Sequence, residues 1–525
     1  VTTGEGSLPA PDDSTPRPGL LQGSSLPSGS SLPSGSSPSG AAIGGPLAVA
    51  QPHEADGQWH LVHPLTPAVK SWQVVVVMLV FFVQDWGHTV ASGEGGVLPL
   101  SKRLRGSLLA GGIGIGALVV LVGIGFAFLS WRMTRYRVIE DALELQQGVI
   151  SRRQRRARLD RLQAVDVVQP LLARVVGLAQ LNVEVAGGSD SKIRLAYLTY
   201  DQAQHLRNHL LARAAGIRYD SRQAPEAPEH YGLEVPLQRL IGSLALSGMT
   251  VALALVVTGL LTTIVLTRSP APVAGMVPVL LAFGSLVWQR FSRGFGFRVA
   301  ASPDGLRLRH GLVEHRTQTV PPGRVQAVRM SQPLLWRRSD WWRVQVNVAG
   351  YGRGNANRES TESVLLPVGD RDEAMAVVSL VLPDLGVAPP DDARTVVAAA
   401  MTGAGGDHGF VTSPRQARWL DPLSWRRNGY RVTGEALLIR RGQLNRHVEF
   451  VPHARTQSCG IRQAMLQRPL GLASFQLHST PGPVVPVVPH LSAADAAALL
   501  AEQVERARRA RAVAGPERWM ETGDT

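Results

Sequence analysis

Cysteine is almost missing from this chain: Cys459 is the single thiol in 525 residues. That excludes an intramolecular disulfide and any thiolate cage around a metal. Acidic residues are scarce too, 40 against 54 Lys and Arg, which leaves a formal charge of +14. Such a balance invites a nucleic-acid reading. The arginines, however, sit mostly beside apolar segments, as the positive-inside rule produces, so a bilayer rather than a nucleic acid is the expected partner. The first fifty residues have almost no aromatic or β-branched content and carry the tandem SSLPSG from Ser24 to Gly35. Such a stretch cannot bury enough apolar area to offset its ordering entropy, so it reads as a disordered tail. It also lacks the cationic start and apolar stretch of a signal peptide.

Four segments are long and apolar enough to cross a bilayer. The first ends at Trp86, the second runs from Ser107 to Trp131, the third from about Leu240 to Leu266, and the fourth ends at Trp288. No ionisable residue occupies the middle of any of them, and a proton relay or ion path nearly always needs one. Glycines at 112, 114, 116, 123 and 125 resemble a phosphate-binding loop only superficially, because no strand precedes them; close helix packing explains them better. Arg132, Arg135 and Arg137 follow the second span, and Arg290, Arg293 and Arg298 follow the fourth, whereas the turn between the third and fourth holds only Arg268. The expectation is a multi-pass protein of the cytoplasmic membrane, with two helical hairpins and with both termini and the long segments cytosolic.

A dodecamer occurs twice. RLQAVDVVQPLL begins at Arg161 and RVQAVRMSQPLL at Arg324, identical at eight of twelve positions. A worn copy, RTQSCGIRQAML, begins at Arg455. An aromatic-Arg-Val triplet opens each unit at Tyr136, Phe297 and Tyr430, lying 25, 27 and 25 residues before the arginine. The later glutamine (Gln169, Gln332, Gln463) follows that arginine by eight residues each time. Common spacing found three times marks duplicated modules. Each reads as short strands with turn signals, then an alternating strand, then an amphipathic helix. The last helix begins with Ser492 and Asp495 at capping-box spacing. The expected unit is a small β-barrel or sandwich closed by one C-terminal helix.

These residues carry a resemblance. The aromatic-Arg-Val opening, the glycine before the turn, the Arg-x-Gln step and the later glutamine resemble the bacterial pleckstrin-homology (PH) domain of YdbS/YdbT-like membrane proteins. The lead-in HPLTP, from His63 to Pro67, is similar to theirs. The resemblance covers about His60 to Arg511, and implies a PH fold at the cytosolic membrane face with no catalytic residues to transfer. The second copy departs at Asp340-Trp341, where the others read Gly177-Leu178 and Gly471-Leu472, which puts its local turn in question. The expected fold is therefore α+β: four transmembrane helices in two hairpins plus three cytosolic PH-like β-barrel modules, each with a C-terminal helix. Its boundaries are a disordered tail 1–58, hairpin 59–131, module 132–217, hairpin 236–290, module 291–386, linker 387–418, module 419–511 and C-terminal tail 512–525.

Because the arginine and glutamine persist in three differently placed units, they read as fold-specifying, with the glutamine serving buried backbone groups. The basic run with Arg152, Arg153, Arg155, Arg156 and Arg158 is confined to the first module, and each charge near an anionic leaflet could contribute about 1 kcal/mol. A solvated basic loop explains it equally well. Trp425, Arg426 and Arg427 follow the retained LSW of the third module and are candidates for the membrane interface, with a packed core Trp as the alternative. HLRNH, from His205 to His209, has zinc-like spacing, but Leu206 stands where a catalytic Glu would be needed. No Gly-x-Ser-x-Gly elbow is present. The expected activity is non-enzymatic, without cofactor or metal: a membrane scaffold binding anionic lipid headgroups or membrane and cytosolic proteins, with self-association of the modules. The alternative is a membrane transport or lipid-handling component.

Overall fold

The computed structural model describes residues 58–66 and 121–513 apart from 124, 140–141, 150, 160–161, 186–191, 215–230, 270, 303–304, 321–322, 350–363 and 481. All of them belong to one compact unit, Glu54–Thr525. The N-terminal tail, the first expected span, most of the second with Gly112, Gly114 and Gly116, and the chain after Val513 lie outside the described residues.

Three modules repeat one plan. A short lead-in strand is followed by helices or a loop, three antiparallel strands, three more, and a closing helix. In the first module these are β1 (His60–Leu61), α1 (Leu121–Arg132), β2 (Arg135–Ile139), β3 (Ala142–Gln147), β4 (Arg153–Arg158), β5 (Leu162–Pro170), the short α2 (Leu171–Val175), β6 (Leu178–Val185), β7 (Lys192–Thr199) and α3 (Tyr200–Ala214). The second has β8 (Tyr231–Glu234), α4 (Leu237–Ala245), α5 (Gly248–Thr267), α6 (Ala271–Gly294), β9 (Arg298–Ser302), β10 (Gly305–His310), β11 (Glu314–Val320), β12 (Val325–Gln332), β13 (Trp342–Val348), β14 (Val364–Gly369) and α7 (Arg371–Val381). The third has α8 (Ala393–Thr402), β15 (Val411–Thr412), β16 (Gly429–Val432), β17 (Ala436–Arg441), β18 (Arg446–Pro452), β19 (Ser458–Arg462), β20 (Leu472–His478), β21 (Val487–Ser492) and α9 (Ala493–Val513).

Each module closes around its own two half-sheets and helix. In the first, Val138, Leu143 and Leu145 of one half pack with Val165, Leu181 and Leu195 of the other and with Leu210 of α3. In the third, Leu437, Ile439 and Val451 meet Phe475, Leu477 and Val488 beneath Leu499 of α9. Strand alternation puts these side chains on one face. Helix α7 begins with a full capping box, Asp370 and Glu373 exchanging hydrogen bonds with each other's backbone. For α9, the Asp495 amide donates to Ser492 Oγ at 3.0 Å.

The half-sheets do not stop at module boundaries. The strand order β7-β6-β5-β11-β10-β9-β8 joins the second half of module one to the first half of module two, and β14-β13-β12-β18-β17-β16-β15 does the same for modules two and three. Both joints use one register: Gln169 faces His315 and Gln332 faces Arg446. The separate barrels expected from the sequence are thus spliced through shared sheets. The segment 387–418, expected to be a linker, instead carries α8, whose Val396, Val397, Ala400 and Met401 enter the core shared by modules two and three.

Among the described residues one helix, α5, is by itself long and apolar enough to cross a membrane. Its 20 residues span about 30 Å. None of them is buried against protein, and leaving Leu255, Leu261, Val265 and Leu266 in water would forfeit about 1.5–3 kcal/mol each. Its hydroxyls are satisfied internally: Thr258, Thr262, Thr263 and Thr267 each donate to the carbonyl four residues back at 2.8–2.9 Å. Helix α6 returns alongside α5. The span expected from about Leu240 begins later, because Leu240 and Leu244 are used by α4 to pack on module two. Ser247 then N-caps α5, its Oγ accepting from the Thr250 amide.

Candidate functional site: the arginine strand and the third-module loop

The repeated glutamine is structural. Gln169 Nε2 donates to the Leu178 carbonyl at 3.3 Å and Gln463 Nε2 to that of Leu472 at 3.0 Å. Gly177 and Gly471 precede those leucines with φ of 69° and 63°. Asp340 takes the same left-handed position at φ 46°, so the turn questioned in the second copy forms after all. Its carboxylate accepts from Gln332 Nε2 and Trp342 Nε1, each at 2.9 Å. The side chain thereby supplies the acceptor that a carbonyl supplies elsewhere, and Asp tolerates the left-handed region better than most residues.

The arginine run is a strand rather than a loop. Arg153, Arg155, Arg156 and Arg158 belong to β4, Arg152 immediately precedes it, and all but the half-buried Arg155 are exposed. β4 pairs with β3 on one side, placing Glu144 opposite Arg156. The Glu144 carboxylate is buried, accepts from Arg137 Nε at 2.7 Å and lies 3.7 Å from Arg156 Nε. The turn into β4 rests on Gly148, where φ is 115° and a Cβ would stand 2.0 Å from the Ser151 carbonyl oxygen; only glycine fits. Gly311 and Gly442 hold the equivalent turns at φ 112° and 77°.

In module two this turn meets the C-terminal end of α6. The Gly311 amide donates to Phe295 O at 2.8 Å and the Leu312 amide to Ser292 O at 2.8 Å. On the same end of the module, Trp336 Nε1 donates to the Ser243 carbonyl at 3.1 Å. His310 Nδ1 bonds the Arg293 carbonyl at 2.9 Å, and its ring stacks on Phe297. Burial, then Arg316, push this imidazole down to about 3, so it is neutral.

The third module has a loop where the second has its helical hairpin. Between β15 and β16 the chain makes a short 3-10 turn at Arg415–Trp419 and comes back through Trp425. Trp425 is half-buried, and the exposed Arg426 stacks its guanidinium over that ring with Cζ 5.2 Å from the centroid. Arg427 does not reach the surface. It is 1% exposed and donates to the carbonyls of Gly403, Ala400 and Met401, each at 2.8 Å, closing the C-terminus of α8. A cation satisfies both the orphan carbonyls and the helix dipole there. Its assignment as a lipid contact is corrected accordingly. Burial, then Arg446, Arg440 and Arg337, lower its pKa to about 9. Arg440 lies beside it, donating to the Arg427 carbonyl and sitting over the Phe410 ring at 4.1 Å.

Sequence reasoning missed the apolar part of this surface. Trp419 is 72% exposed with Arg418 above its ring, and Leu423 and Leu444 are exposed on the rim of one hollow. Met465 is 86% exposed and Leu466 accompanies it. The signal lay in the tail of the dodecamer: Leu171-Leu172, Leu334-Leu335 and Met465-Leu466 are equivalent, and all six are exposed. The Leu334-Leu335 pair adjoins Trp336 at the base of the hairpin, and Arg337 of the same turn donates to the Leu444 carbonyl at 3.1 Å. The apolar rim thus runs from the helices of module two onto module three. Among the described residues no three of His, Cys, Asp and Glu converge as a metal site.

A two-sheet module with a closing helix, repeated three times beside a lipid-length helix, defines a membrane-associated protein built of PH-type modules. The bacterial PH domain family matches at residues 96–214, 241–385 and 377–508, which is more than half of the chain, and the chain belongs to that family. It is similar to the UPF0699 transmembrane protein YdbT of Bacillus subtilis (strain 168), with 19% identity over 340 residues, 58% of this chain. The match spans 64% of that relative's length.

Proposed function

We propose that this protein is a multi-pass scaffold of the cytoplasmic membrane, without enzymatic activity, that presents three PH modules to the cytosol for binding anionic lipid or protein partners. Two hairpins anchor modules one and two. The third module, which has no span, rests on the bilayer through its loop. One observation carries this reading: the stretch between β15 and β16 replaces the hairpin found between β8 and β9, and it exposes Trp419 and Leu423 flanked by Arg418 and Arg426. An indole with an adjacent guanidinium suits the headgroup level. The turn equivalence supports extending this reading to Arg152 and Arg153 at the start of β4, which an anionic leaflet would favour.

The test uses the full chain in nanodiscs with a spin label at position 423. Lipid-dissolved oxygen should relax the label more strongly than a water-soluble nickel chelate, and the contrast should shrink in Trp419→Ser or Arg426→Glu. Equal accessibility to the aqueous reagent in neutral and anionic nanodiscs would reject the contact.

A further inference from the structure

The two internal joints follow one rule. The first strand of a module's second half pairs with the last strand of the next module's first half: β5 with β11, and β12 with β18. Applied along three modules, the rule leaves one edge of each kind. β4 has no partner beyond β3 among the described strands, and β19 has none beyond β20. The counterparts of β19 are largely buried in their joints, whereas Ser458, Ile461 and Arg462 are exposed. An edge strand left open is a template for pairing with another chain.

We infer that copies of this chain join head to tail, β19 of one copy pairing antiparallel with β4 of the next in the register of the internal joints. That register is fixed by the turn glycines. Gln332 faces Arg446, four residues after Gly442, and Gln169 faces His315, four after Gly311. Four residues after Gly148 is Arg152, so Gln463 faces Arg152 of the next copy, Arg462 faces Arg153, and Cys459 faces Arg156. At the internal joint Arg446 Nη1 donates to Gln332 Oε1 at 3.3 Å, and Arg152 offers Gln463 the same bond. The pairing is heterologous, so it propagates into rows or rings rather than stopping at a symmetric dimer. The rim on one end of modules two and three keeps successive copies facing the same membrane.

Charge makes this joint weaker than the internal ones. Where Arg153 meets Arg462, the internal joints place Arg316 opposite Val168 and His447 opposite Ser331. Like charges directly opposite each other oppose pairing, and salt screens exposed ones. Association therefore strengthens with ionic strength, the reverse of an ordinary ion-paired contact.

The native thiol provides the assay. Full-length Arg156→Cys in proteoliposomes is oxidised with copper phenanthroline and run without reductant. The expected result is a ladder of dimers and higher multimers that disappears in Arg156→Cys/Cys459→Ser and is several-fold weaker for Gln154→Cys, whose register partner is Ile461. Adding Arg462→Glu should raise the yield several-fold. A thiol-free readout is energy transfer between labelled copies, which Arg462→Glu or Arg153→Glu alone should increase and the double reversal should return toward the parent level. No ladder above the serine control even with Arg462→Glu at high salt overturns the inference. So does equal yield from Gln154→Cys, a dimer without higher multimers, or an unchanged transfer signal in both single reversals. Exchange protection of β19 without cross-linking would assign the edge to a different protein and reject the second copy.

Discussion

Asp340→Gly restores the residue that modules one and three carry at this turn, so conformational preference alone argues for stabilisation. Asp340 sits at φ 46°, and left-handed backbone costs an L-residue about 1–2 kcal/mol, less for Asp. Against that gain stands the loss of an acceptor. Gln332 Nε2 and Trp342 Nε1 each donate to the carboxylate at 2.9 Å, and both side chains are buried. Stranding a buried donor costs about 1–3 kcal/mol. The two losses outweigh the relief, and the expected net destabilisation is about 1–4 kcal/mol. Asp340→Asn, which keeps an oxygen and tolerates the same φ, should cost about 1 kcal/mol. The assay is amide exchange of β12 and β13 in the detergent-solubilised full chain, since both donors stand on those strands. If Asp340→Gly protects these amides as well as the parent does, the carboxylate is not the acceptor on which this turn depends.

At the joint between modules two and three, Glu449 is 0% exposed and accepts from Arg329 Nε at 2.9 Å and Arg441 Nη2 at 2.8 Å. Glu449→Ala should cost about 2–3 kcal/mol, because it takes the shared carboxylate from the half-buried Arg329 and Arg441, and guanidinium unfolding followed by Trp fluorescence measures it. Arg427→Ala should cost about 2–4 kcal/mol by leaving the carbonyls of Ala400, Met401 and Gly403 without their donor, while Arg426→Ala should change the unfolding free energy by less than about 0.5 kcal/mol. The pH dependence follows from His310, whose folded pKa of about 3 lies below the ordinary 6.5. Below pH 6.5 the unfolded chain takes up a proton that the native state refuses, so stability falls with pH, by about 3 kcal/mol at pH 4. His310→Gln should flatten that slope in the exchange of β9 and β10, and an unchanged slope would contradict the buried neutral ring.

Local chemistry made much of this legible in advance. The module repeat, its helices and the Ser492 cap depend on residues near one another in the chain, and the glutamine's backbone role could be argued from recurrence. Arg427 shows the limit. It shares its neighbourhood with Trp425 and Arg426, yet points inward because α8, some 25 residues earlier, ends there with carbonyls needing donors. The mistaken linker has the same origin, for α8 is apolar on the face that module three happens to cover. The exposure of Met465 was not legible in the sequence, since it is set by where the strand before it ends.

Sequence by itself determined the number of modules, the strands-then-closing-helix plan of each, and the presence of a lipid-length apolar stretch ahead of module two, because spacing, periodicity and hydropathy act along the chain. Tertiary structure decided which strands are neighbours across module boundaries. Backbone edges carry no side-chain signature, so the pairing of β5 with β11 and of β12 with β18, and the two edges left over, emerge only once the sheets are built.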